Sequence, residues 1–107
     1  PNAEVFLATE DGSAGFQGLV TDLFESSLTD GLERAEIFAC GPEPMLKTLA
    51  GKNRSWGYPM QLSLEERMAC GIGACQGCAV QARREGKTGY LRVCRDGPVF
   101  NFQEVIW

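Results

Sequence analysis

Leu64-Glu65-Glu66-Arg67-Met68-Ala69-Cys70-Gly71-Ile72-Gly73-Ala74-Cys75-Gln76-Gly77-Cys78 carries three of the five cysteines of this 107-residue chain. A fourth follows at Cys94, so the pattern reads C-x4-C-x2-C-x15-C. C-x4-C-x2-C with one distant cysteine is the ligand spacing of plant-type [2Fe–2S] clusters. Such a cluster is a rigid object, so several ligands must arrive from one tightly wrapped loop. Gly71, Gly73, Ala74 and Gly77 let that loop take backbone angles that larger side chains resist. They also let backbone N–H groups approach the sulfurs, where hydrogen bonds help set the potential. Electron transfer is the first expectation.

Four thiolates, two ferric ions and two sulfides leave a double negative charge, which one-electron reduction makes triple. Arg67, Arg92 and Arg95 lie near the ligands in sequence and are placed to offset it. The plainer reading of these arginines is an ordinary solvated surface. For the cysteines the alternative is a closed zinc site with four thiolate ligands, in a structural module for protein association. Zinc sites of that kind usually pair two short knuckles, and only one C-x2-C occurs here.

Histidine is absent, which excludes a Ser-His-Asp or Cys-His catalytic pair, a two-cysteine two-histidine zinc finger and a Rieske centre. The formal charge of -4 argues against nucleic acid as a partner. No apolar run approaches the ~20 residues of a membrane helix, and no charged-then-apolar leader is visible. A cytoplasmic, reducing setting without membrane contact is therefore expected, where cysteines more often serve metals or redox than disulfides. The chain opens at Pro1 without an initiator Met, as a fragment or processed product would.

Outward from the cysteine loop, two lobes are expected. The fold class expected is an α/β fragment of a parallel nucleotide-binding sheet followed by a small β-rich [2Fe–2S] lobe, over residues 1–58 and 59–107. Glu4–Thr9 reads as a buried strand, with Glu10–Ser13 as its turn. Leu19, Val20, Leu23, Phe24 and Leu28 fall at helical spacing, with Gly31 as the stop. Ala35–Cys40 predicts a second buried strand, and a helix starting at Pro42 presents Met45, Leu46, Leu49 and Ala50 on one face. The polar stretch from Gly51 to Pro59 marks the lobe boundary. Beyond it Met60, Leu62 and Leu64 alternate with Gln61 and Ser63, as in a strand covered on one face. Ala79–Arg83 and Tyr90–Val93 predict a hairpin around the turn Arg84–Gly89, with Cys94 on the strand that follows. Phe100, Phe102, Val105, Ile106 and Trp107 are expected to pack the small lobe rather than to meet a partner. A lobe of this size gains much of its stability from metal ligation. Cys40, at the end of an apolar strand, is either a small buried hydrophobe or a ligand-facing position where α/β folds place cofactors.

Cys40-Gly41-Pro42-Glu43-Pro44-Met45 resembles the C-G-P-x-x-M motif near the end of the pyridine-nucleotide domain in the ferredoxin–NADP reductase superfamily. The stretch from Leu64 to Cys78, with Val93-Cys94-Arg95-Asp96-Gly97-Pro98-Val99-Phe100, resembles the electron-transfer subunits of NAD-dependent dihydroorotate dehydrogenases. The resemblance runs from about Glu4 to Trp107 and implies the C-terminal part of such a subunit. It implies a relay in pyrimidine biosynthesis, in which an FMN-containing catalytic subunit oxidises dihydroorotate. Electrons then pass through a [2Fe–2S] cluster to FAD and on to NAD. Cys70, Cys75, Cys78 and Cys94 would ligate the cluster, and Cys40, Gly41 and Pro42 would lie near the nicotinamide. Thr9, Glu10 and Asp11 would lie on the adenosine side, where acidic residues favour NAD over NADP; the competing reading is a plain polar turn. FAD and NAD belong to the full-length subunit, and retention by these residues alone is not expected. Another flavin-dependent ferredoxin or hydrogenase reductase subunit would share this architecture.

Overall fold

The computed structural model describes residues 3–28 and 35–107, which divide into two compact units, Pro1–Glu33 and Arg34–Trp107. In the first unit Ala8–Thr9 (β1) pairs in parallel with Phe16–Gln17 (β2), and helix Val20–Ser27 (α1) follows. The helical spacing from Leu19 to Leu28 thus folds as expected; the stop expected at Gly31 lies outside the described residues. The strand expected over Glu4–Thr9 shrinks to two residues. Val5, Phe6 and Leu7 are exposed, because among the described residues no layer covers them.

The second unit is built on a β–α–β crossover. Ile37–Cys40 (β3) leads through helix Glu43–Trp56 (α2) to Met60–Ser63 (β4), which lies parallel to β3 in the register Ile37↔Met60 to Cys40↔Ser63. Pro42 caps α2 and Pro44 sits in its first turn, where a missing N–H leaves no bond unmade. Leu46, Leu49, Ala50 and Asn53 form the buried stripe at i, i+3, i+4 and i+7. The helix runs through Gly51, which is exposed and has open space around it, and stops at Gly57, whose φ of 77° only glycine adopts freely. The polar stretch expected to break the chain is therefore mostly the solvent face and last turn of α2.

Asn53 is fully buried and clamps that stop. Its Nδ2 donates to the Tyr58 carbonyl at 2.8 Å, and its Oδ1 accepts the Tyr58 N–H at 3.2 Å. Asn53→Ala leaves both Tyr58 groups without these partners and is expected to cost about 1–3 kcal/mol in chemical denaturation.

Val99–Asn101 (β7) adds antiparallel to β4, giving the order β3-β4-β7. Met60, Leu62, Leu64 and Phe100 are all buried in the core beneath this sheet. β3 and β4 share that sheet within the compact unit Arg34–Trp107. In the first unit β1 and β2 form a two-stranded sheet of their own. The observed class is mixed α/β with several small sheets.

Ala79–Arg84 (β5) and Lys87–Arg92 (β6) make the expected hairpin, but its turn is two residues, Glu85-Gly86, not six. Positive φ at both, 54° and 78°, is the tight turn whose twist matches paired strands, so pairing runs to the tip. The tail lies along β5: the Arg83 N–H donates to the Glu104 carbonyl at 2.6 Å and the Ile106 N–H to the Gln81 carbonyl at 3.0 Å. Phe102 and Val105 are buried by it, as core packing requires.

Candidate metal centre

The cysteine loop leaves β4 and returns as β5, and its base is tied by the Leu64 N–H to the Pro98 carbonyl at 2.9 Å. Within it Gly71, Gly73 and Gln76 have φ of 70°, 83° and 63°, wrapping the chain tightly enough to bring its thiols round. They act on one another: the backbone N–H and then the side chain of Cys75 lower Cys70, and the side chain of Cys78 raises Cys94. Backbone donors surround them: Ile72 and Ala74 N–H point at Cys70 Sγ, Gly77 N–H at Cys75 Sγ and Cys94 N–H at Cys78 Sγ, each at 3.4 Å.

These donors act on the charge state. The N–H groups of Cys75, Ile72 and Ala74 pull the Cys70 thiol down to about 6, so it is a thiolate at neutral pH. The Cys94 N–H lowers Cys78, while the side chain of Cys78 raises Cys94, so this pair ionises first at Cys78. Among the described residues no three Cys, Asp or Glu side chains converge as ligands of one ion. A [2Fe–2S] core takes two thiolates on each of two irons, and Cys70, Cys75, Cys78 and Cys94 supply that number. Their donors, a thiolate-forming loop and a glycine cradle fit the group.

Cys94 was expected on a strand, but it sits in the short helix Val93–Asp96 (α3) that ends β6. Hairpin pairing of Ala79 with Arg92, and the Val93 N–H to the Cys78 carbonyl at 3.2 Å, make Cys78 and Cys94 neighbours. Gly73 is buried against α3: a Cβ there would lie 2.8 Å from Arg95 Cδ and 3.3 Å from Arg95 Cβ. Gly73→Ala combines that clash with a left-handed φ costing about 1–2 kcal/mol. It is expected to lower iron bound per chain after reconstitution by about fivefold, checked by colorimetric iron assay.

The three arginines separate. Arg67 is exposed. Arg95 is exposed too, with its stem along Gly73. Arg92 is half-buried, and its Nη1 donates to the Gly73 carbonyl at 2.9 Å. Asp96 holds it, accepting the Arg92 backbone N–H at 2.7 Å and Nε at 3.3 Å. The Arg92 N–H, followed by its side chain, keeps the Asp96 carboxyl below its usual range. Sequence reasoning named Arg92 only as a charge and missed Asp96, although their i, i+4 spacing was the available signal.

The residues expected around a nucleotide fall in different units. Thr9 Oγ1 donates to the Ala14 carbonyl at 2.7 Å, Asp11 accepts the Ser13 N–H at 2.9 Å, and Glu10 is exposed. That Ser13 N–H also lowers the Asp11 carboxyl. Cys40 is exposed rather than a buried hydrophobe. Gly41 lies so close to Met45 Cε that a side chain there would strike it. Gly41 and Pro42 border a cavity of about 320 Å³ shared with Leu46, Leu64, Val105 and Trp107.

Comparison with known proteins bears on this centre directly. Residues 65–106 match the family described as the iron-sulfur cluster binding domain of dihydroorotate dehydrogenase B. The chain is 48% identical over 104 residues to the dihydroorotate dehydrogenase B (NAD(+)) electron transfer subunit of Caldanaerobacter subterraneus, covering 97% of this chain and 41% of that one. It is 49% identical over 100 residues to the electron transfer subunit homolog of Aquifex aeolicus, covering 94% and 36%. A solved NADH-dependent reduced ferredoxin–NADP oxidoreductase, studied for flavin-based electron bifurcation, matches with a TM-score of 0.70 and 35% identity over 95% of this chain and 35% of its own. The chain spans about two fifths of the length of these curated relatives. Residues 65–106, which hold Cys70, Cys75, Cys78 and Cys94, thus match the iron–sulfur cluster binding domain of dihydroorotate dehydrogenase B, in a chain similar along nearly its whole length to electron transfer subunits of that enzyme.

Proposed function

We propose that this chain carries electrons, one at a time, through a [2Fe–2S] cluster held by Cys70, Cys75, Cys78 and Cys94. The observation that carries the reading is the set of backbone N–H donors on the sulfurs of Cys70, Cys75 and Cys78, in a segment that matches an iron–sulfur cluster binding domain. The bound group supplies one-electron uptake and release without a proton. The residues hold it rigidly, present N–H groups that favour the extra negative charge, and keep Cys78 out of solvent. By relationship the electrons run between the FMN of a dihydroorotate dehydrogenase catalytic subunit and FAD and NAD+ on the rest of the electron transfer subunit, in de novo pyrimidine synthesis. In this reading residues 1–58 are the C-terminal part of a pyridine-nucleotide domain and residues 59–107 the cluster lobe. Cys40, Gly41 and Pro42 then face the nicotinamide end, and Thr9, Glu10 and Asp11 the adenosine end. A soluble cytoplasmic setting goes with this assignment; among the described residues no helix is long and apolar enough to cross a membrane.

Anaerobic reconstitution tests the cluster. Visible absorbance bleached by dithionite, an EPR signal in the reduced state and two iron and two sulfide per chain are expected. One zinc per chain, with no uptake of iron and sulfide, overturns the proposal. The likeness to a ferredoxin–NADP oxidoreductase favours a second reading, a related flavin-dependent reductase. Purification of the full-length subunit with its partner separates them, since only the first yields NAD+ reduction driven by dihydroorotate.

A further inference from the structure

Gly73 and Ala74 share one peptide group that faces two ways. Its carbonyl oxygen accepts Arg92 Nη1 at 2.9 Å and Gln76 Nε2 at 3.4 Å. Its N–H, on the opposite side of a trans peptide, donates to Cys70 Sγ at 3.4 Å. Fixing the oxygen fixes the direction of the N–H. Arg92 is itself fixed, because Asp96 accepts both its backbone N–H and Nε and leaves Nη1 aimed at the loop.

We propose that Arg92 is a positioning residue that aims and polarises the Gly73–Ala74 peptide at Cys70, and thereby raises the reduction potential of the cluster held there. A guanidinium on the oxygen draws electron density along the peptide and makes the N–H a stronger donor. A stronger donor to a ligand sulfur favours the more negative, reduced state. The cation adds to this through space, but Arg95 offers the same charge beside the same glycine and is exposed. The aim of the peptide therefore distinguishes Arg92 from Arg95.

The inference rests on cluster binding by this chain, and the test separates the two. Wild type, Arg92→Gln and Arg95→Gln are reconstituted and titrated by EPR-monitored potentiometry, with selective 15N-alanine labelling to read the Ala74 nitrogen by pulsed EPR. At a fixed ambient potential the reduced-to-oxidised ratio of Arg92→Gln is expected to fall about tenfold, about 59 mV for one electron. The alanine nitrogen coupling should change with it, while Arg95→Gln shifts the ratio less than about threefold. An unchanged ratio in Arg92→Gln, or an equal shift in Arg95→Gln, overturns the proposal while leaving the cluster in place. Wild type without visible absorbance would instead remove the reading on which it stands. If Arg92→Gln fails to load, Arg92→Lys decides. A point-like ammonium in place of the fork should load yet alter the alanine coupling, and an unaltered coupling or a failure to load overturns the proposal.

Discussion

Cys78→Ser is expected to reduce reconstituted iron and the dithionite-bleached absorbance to less than about a tenth of wild type, because each iron depends on both thiolates of its pair. Cys78 is the most buried of the five cysteines and meets both the Cys94 thiol and the Cys94 N–H. A serine there offers a shorter, harder donor with a far higher pKa, and it leaves Cys94 without its sulfur partner. Cys40→Ser is the matched control. Cys40 ends β3, is exposed, and pairs in register with Ser63 rather than with any cluster thiol. Its iron content is expected to equal wild type. Iron assay and absorbance on both variants check this, and wild-type iron in Cys78→Ser would refute the ligand assignment.

Phe100→Ala is expected to be the most damaging change outside the ligands, destabilising the chain by about 3–5 kcal/mol. Its side chain is 1% exposed at the centre of β7, directly across from Leu62. The ring packs so closely on the backbone of Gly97 that no side chain fits there, and the Arg84 guanidinium lies 5.9 Å from its centroid. Arg84 in turn pairs with Glu104 at 2.6 Å, linking β5, β7 and the tail. A domain of this size has only about 5–15 kcal/mol in all, so the loss is a large share of it. Because β7 also fixes Pro98, which ties down Leu64 at the base of the cysteine loop, faster cluster loss should accompany the lower denaturation midpoint. Urea unfolding of apo and reconstituted protein measures both. A midpoint within error of wild type would show that the cavity closes.

The cluster-binding character of the cysteine loop was legible because cluster chemistry demands particular residues at particular spacings, and residues 65–106 match an iron–sulfur cluster binding domain. The alternation around Met60, Leu62 and Leu64 and the stripe of α2 were legible for the same kind of reason, since burial on one face leaves a period. Glu4–Thr9 misled, because apolar composition records what a strand can bury and not whether a covering layer is present. Gly51 shows the opposite limit: α2 runs through it, because a glycine on the exposed face of a helix weakens it without ending it. Asn53 and the Arg92–Asp96–Gly73 contacts left no pattern beyond a single i, i+4 pair. Their partners are backbone atoms, which every residue carries alike.

The tight ribbon between Cys78 and Cys94 has a consequence for how such chains vary. Spatial closeness there is set by the Ala79↔Arg92 rung at the foot of the ribbon, while everything beyond that rung projects away from the thiols. Adding or deleting one rung changes the count between Cys78 and Cys94 by two and moves neither of them. The fifteen intervening residues are thus an architectural accident of ribbon height, free to lengthen or shorten in even steps, whereas the four and two residues separating Cys70, Cys75 and Cys78 have no such slack.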